Sequence, residues 1–77
     1  MEKYKTSYNS FLAQCSIDYE HELKARGWRY GQVYFNYLLE IQPEIAEKLR
    51  GSVNDPFYRD SVPPHVHALV EADWKII

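Results

Sequence analysis

Between Tyr30 and Ile41 the chain reads YGQVYFNYLLEI, and apolar side chains surround most of that segment. At about 100° per residue, Tyr30, Val33, Tyr34, Tyr37, Leu38 and Ile41 share one helical face, while Phe35 and Leu39 fall well outside it. Only Arg29, Gln32, Asn36 and Glu40 form a narrow polar strip. A helix apolar on so many sides either sits at the centre of its domain or is covered by something outside it. The remaining elements are therefore expected to pack around this one.

Upstream, Tyr8, Phe11, Leu12, Cys15, Tyr19 and Leu23 keep the spacing of one helical face and predict a first helix from about Lys5 to Ala25. Thr6 or Ser7 is the expected N-cap. Lys24 and Arg26 suit the negative C-terminal end, and Gly27 stands where a left-handed stop is expected. Trp28 then reads as a ring folded across the corner. Gly31, in the first turn of the second helix, costs roughly 1 kcal/mol relative to alanine, which predicts a close backbone neighbour or a start one residue later. Pro43 ends that helix and opens a short third one, whose inward face is Ile45, Ala46 and Leu49 and whose stop is Gly51.

The connection GSVNDPFYRDS has turn chemistry throughout, with Asn54 and Asp55 before Pro56 favouring an Asx-type turn, and Phe57 and Tyr58 expected to pin it. Asp60 or Ser61 is the expected cap of a last helix that carries Pro63 and Pro64 in or just before its first turn. Val62, Val66, Leu69, Val70, Trp74 and Ile77 give it an apolar face. The fold class is thus all-α: residues 1–77 read as a single helical domain, a small bundle or orthogonal array of three main helices plus one short helix.

At 77 residues the core is barely large enough to hold itself together, so the seven Tyr, three Phe and two Trp must supply much of the buried area. A net charge of −2 offers no general basic field for duplex nucleic acid or an anionic membrane. The single cysteine, Cys15, lies in a helical apolar pattern and reads as a small buried hydrophobe. The opening MEKYKTSYNS has no apolar core behind its lysines, and no apolar run approaches the roughly 20 residues of a membrane span. A cytoplasmic, soluble protein is the expectation.

His65 and His67 point away from each other on a helix, so they do not make a zinc pair, and His21 stands alone between glutamates. Asp55 and Asp60 lack the alternating oxygens of a calcium loop. No Ser or Cys sits in a glycine-bracketed elbow, and the three glycines are isolated, so neither a nucleophile nor a phosphate loop is expected. Glu40, Glu44, Glu47, Asp55 and Asp60 are the acids from which a carboxylate site would have to be built. No metal and no cofactor are expected, and the chain reads as not an enzyme.

Two features point to binding. Gln32 and Asn36 lie one turn apart, flanked by Arg29 and Glu40: either their amides satisfy the backbone of the NDPFY segment while Arg29 pairs with Asp55 or Asp60, or the strip is a recognition surface. The aromatic excess supplies the residue types of binding hot spots, with Tyr4, Tyr30, Tyr58 and the tail from Trp74 to Ile77 as the rings and apolar groups expected to be exposed.

The order RYGQVYFNYL, QPEIAEKLRG, NDPFY and a late tryptophan resembles a group of short bacterial and phage proteins without assigned function. These share the pattern R-x-G-Q-x-x-F-N-x-L, P-x-I/L-A, a glycine, D-P-F-Y and a terminal W. The resemblance runs from Arg29 to Trp74. It implies that Gly31, Gln32, Phe35, Asn36, Pro43, Gly51, Asp55, Pro56, Phe57 and Trp74 belong to one framework, and that a phage or prophage gene binding a host factor is in scope.

The expectation is a small non-enzymatic interaction module, in one version a homodimer, that binds a protein partner through Arg29, Tyr30, Gln32, Asn36, Tyr58 and Trp74. The alternative is a nucleic-acid-associated regulator using Lys3, Lys5, Lys24, Arg26 and Arg29; a carboxylate enzyme comes third.

Overall fold

In a computed structural model, which describes residues 7–75, Ser7 caps the first helix, its hydroxyl accepting from the Ser10 amide at 3.1 Å. The described residues are all-α: helix α1 (Tyr8–Asp18), α2 (Tyr30–Ile41), α3 (Pro43–Leu49) and α4 (Pro64–Asp73), with no strand among them. Lys5, Thr6, Tyr4 and Ile77, which the sequence reading also used, lie outside the described residues.

The first helix departs from the expected single α-helix to Ala25, because Tyr19–Leu23 form a π-helical turn closed by the Lys24 amide on the Tyr19 carbonyl at 2.8 Å. Its cause lies in the spacing. Cys15, Tyr19 and Leu23 are each four apart, a step that drifts by about 40° on an α-helix. A wider turn brings Leu23 back to the core, where it is buried. The chain then stops at Gly27, whose φ of 88° is the left-handed conformation that glycine adopts without strain.

Helix α2 has the bounds its sequence predicts and supplies Val33, Tyr34, Phe35, Leu38 and Ile41 to the core. Its first face shares one core cluster with Tyr8, Phe11 and Cys15 of α1 and with Val66 and Val70 of α4. Phe35, on the other side, is also buried: the Phe57 ring meets it edge-on at 5.9 Å and the Arg50 guanidinium lies 5.5 Å from its centroid. Leu39 is half-buried against the same core. With both outlying residues covered, α2 is the hub of the array, which at 33 × 32 × 18 Å is about two helices thick.

Pro43 opens α3 as expected, and the turn before it is held by Gln42, a buried amide whose Nε2 donates to the Lys75 carbonyl at 2.7 Å. The expected cap of α4 is not formed. Pro63, not Asp60 or Ser61, is the N-cap residue, and no side chain caps the helix. Two prolines explain this: they fix the entry in extended backbone and remove amides that a cap would have satisfied. Val62 is buried ahead of the helix, Val66 and Val70 are buried on it, and Leu69 is exposed rather than inward.

Candidate interaction surface

Glycine at position 31 fixes how the loop of residues 51–61 lies on α2. A Cβ there would stand 1.8 Å from the Pro56 carbonyl oxygen and 2.6 Å from that of Arg59. The Gly31 amide donates to the Arg59 carbonyl at 2.9 Å. Of the two explanations offered for this glycine, close approach of a neighbouring backbone is the correct one.

The loop is internally satisfied. Asp55 accepts from the Gly51 amide at 2.7 Å and from the Phe57 amide at 2.9 Å, closing the expected Asx-type turn. Ser52 Oγ accepts from the Asn54 amide at 3.1 Å and donates to the Leu49 carbonyl at 2.8 Å. Pro56 is buried, Phe57 is half-buried against Phe35, and Tyr58 crosses Phe57 at 4.9 Å with 82% of its surface exposed. Arg29 pairs with Asp60 at 3.0 Å, one of the two partners expected for it. Gln32 and Asn36 are half-buried on the adjoining strip of α2. Their amides make no hydrogen bond among the described residues, because Asp55 and Ser52 already satisfy the loop backbone. Of that account the Arg29 pairing is formed, and the amide bonds to the NDPFY backbone are not.

Arg29 is thus tied through Asp60 to the loop that carries Tyr58, and Gln32 and Asn36 follow Arg29 along the polar strip of α2. Tyr30 and Trp74 do not present exposed rings. Tyr30 is half-buried, edge-on to Tyr19 at 5.5 Å, and burial pushes its phenol pKa up. Trp74 is half-buried against Tyr8 at 5.2 Å and Phe11 at 5.1 Å. Each ring lies at an element end, where a core contact distant in sequence leaves no local signal.

Sequence reasoning also missed a polar cluster inside the aromatic core. The Tyr8 hydroxyl lies 2.8 Å from the Tyr34 hydroxyl and 2.6 Å from His67 Nδ1. Burial raises the Tyr8 phenol to about 12 and raises that of Tyr34 further, and it holds His67 below its ordinary value. At the other end of α1, the Tyr37 hydroxyl donates to Asp18 at 2.6 Å, and Gln14 donates to the other oxygen of the same carboxylate at 2.9 Å. Cys15 is fully buried, as expected, and burial pushes its thiol up to about 12, which keeps it a neutral thiol rather than a nucleophile.

The charges relevant to the other readings are mostly paired. Lys24 lies 3.8 Å from Glu20 and Arg26 2.6 Å from Glu22, while Lys3 and Lys5 fall outside the described residues. Glu47 pairs with Arg50 at 3.1 Å. A groove of about 650 Å³ runs between α3 and the end of α4, lined by Glu44, Lys48, Asp73 and Lys75, and its rim is bridged by Lys48–Asp73 at 3.6 Å and by Lys75–Glu44. Lys75 holds the Glu44 carboxyl below the usual carboxylate range, the opposite of what a general acid requires. Among the described residues no group of three His, Cys, Asp or Glu is placed to hold a metal ion, and no helix is long and apolar enough to cross a membrane. Comparisons with family models, curated proteins and solved structures found no match.

Proposed function

We propose that this protein is a small non-enzymatic interaction module that binds a protein partner across the junction of α2 and the loop of residues 51–61. The observation that carries the reading is the pair of amides on Gln32 and Asn36, which make no hydrogen bond among the described residues, on the strip whose Arg29 is tied to the loop that exposes Tyr58. Amides and a phenol on rigid backbone bring hydrogen bonds and area with little ordering cost, which is how hot spots gain their affinity. Rigidity comes from the Gly31 to Arg59 hydrogen bond and from the Phe35–Phe57 contact. The pairing of Lys24, Arg26 and Arg29 with acids weighs against the nucleic-acid alternative, since a cation already neutralised releases fewer counterions from a phosphate backbone. The dispersal of Glu44, Glu47, Asp55 and Asp60 among separate partners weighs against a carboxylate enzyme.

A photo-crosslinker placed at Tyr58 in the full chain and, as a control, at exposed Ala13 on α1 tests this. The reading requires a protein adduct from position 58 in host lysate that position 13 does not give. Asn36→Leu must abolish that adduct while leaving the thermal unfolding curve in place. Identical adducts from both positions, or an Asn36→Leu variant that binds as wild type, contradict it. Light scattering on the purified chain distinguishes a second copy from a foreign partner.

A further inference from the structure

The hydroxyl relay between α1, α2 and α4 has a proton count that fits only one charge state of its histidine. Tyr34 is 0% exposed, and its hydroxyl has the Tyr8 hydroxyl as its only partner among the described residues. Tyr8 in turn bridges to His67 Nδ1. With His67 neutral and its proton on Nε2, Tyr34 donates to Tyr8 and Tyr8 donates to Nδ1, so two contacts use two protons and every O–H is satisfied. With His67 protonated, Nδ1–H must donate to the Tyr8 oxygen. Three protons then share two contacts, and one buried O–H, on Tyr8 or Tyr34, has no acceptor.

We propose that His67 is an acid-sensitive latch, which seats α4 against α1 and α2 when neutral and loosens it when protonated. The groups that face the imidazole are Tyr8 from α1, Tyr34 from α2, and Glu71 one turn along α4 itself. Both tyrosines stay neutral across the physiological range because burial raises them. Glu71 favours the imidazolium, but burial outweighs it and holds His67 below its ordinary value. The sign follows: above the unfolded histidine pKa of about 6.5 the stabilisation is complete, and it is lost as pH falls from there through the lower folded value. The face that α4 uncovers includes Trp74 on Tyr8 and Phe11, so loosening exposes aromatic surface.

The test is an NMR titration of His67 in the full chain, beside urea unfolding at pH 7.5 and pH 5. In wild type His67 must titrate below 6.5. Tyr34→Phe removes one proton and one contact together, so protonation still orphans an O–H, now that of Tyr8, and His67 must again titrate below 6.5. His67→Asn sets an amide oxygen in the place of Nδ1 with no proton to gain, so its acid loss of stability must be smaller than that of wild type. A His67 that titrates at or above 6.5 in wild type or in Tyr34→Phe, or a His67→Asn variant that loses as much stability in acid as wild type, overturns the latch. Because the titration of Tyr34→Phe is read on a folded protein, the outcome holds even where His67→Asn does not fold.

Discussion

One flank of α2 packs against the loop of residues 51–61 and the other against α1 and α4, and the two are closed by different chemistry. On the loop side the closure is backbone on backbone: a glycine admits two carbonyls, an Asx-type turn holds the loop in shape, and Phe57 covers Phe35. On the helix side it is side chain on side chain. Tyr8, Phe11, Tyr34, His67 and Trp74 interlock edge to face, with a hydroxyl relay threaded through them. A backbone seam tolerates almost no change in shape, whereas a ring cluster tolerates loss of an atom and punishes loss of a hydrogen-bond partner.

That contrast breaks first at Gly31. Gly31→Ala is expected to cost at least ~3 kcal/mol in urea unfolding, because the clash is with backbone that cannot rotate away and the Arg59 hydrogen bond goes with it. A near-native midpoint would mean that the loop does not lie on α2 as described. The ring side is sharpened by a pair of variants. Tyr8→Phe strands the fully buried Tyr34 hydroxyl and is expected to cost about 2 kcal/mol; Tyr34→Phe leaves Tyr8 its histidine and is expected to cost about 1 kcal/mol. Equal costs, or the reverse order, would remove the relay from the account. Asp55→Ala deprives the Gly51 and Phe57 amides of their acceptor at a half-exposed site, for about 1 kcal/mol by thermal unfolding. Arg29→Ala breaks only an exposed ion pair with Asp60 and should lower stability by less than about 0.5 kcal/mol, a loss that added salt mimics.

The same contrast explains what the sequence makes legible. The loop side is written in local signals: a costly glycine inside a helix, Asn-Asp-Pro turn chemistry, and aromatics too apolar to leave in water. The bounds of α2, the Ser7 cap and the positive φ at Gly27 and Gly51 are local in the same sense. The helix side joins residues 26 and 59 positions apart, as with Tyr8 to Tyr34 and Tyr8 to His67, and no period or motif announces such a meeting. Gln42 reaching the Lys75 carbonyl, 33 residues away, escaped notice for the same reason. The π-helical turn was signalled, since two successive steps of four from Cys15 do not fit an α-helical face, but a face drawn loosely enough absorbs the drift. At the candidate surface, the residue types of Arg29, Gln32, Asn36 and Tyr58 mark the region, while the core contacts of Tyr30 and Trp74 are distant in sequence and leave no local signal.

The central claim is that α2 is covered on both flanks and is therefore the last element to open. Native-state amide exchange tests it most directly. The amides from Tyr34 to Leu38 should exchange only through global unfolding, with a free energy equal to that from urea denaturation, while amides of α3 and α4 exchange through smaller openings. Exchange of the Tyr34 to Leu38 amides at a lower free energy than those of α1 or α4 would contradict the claim.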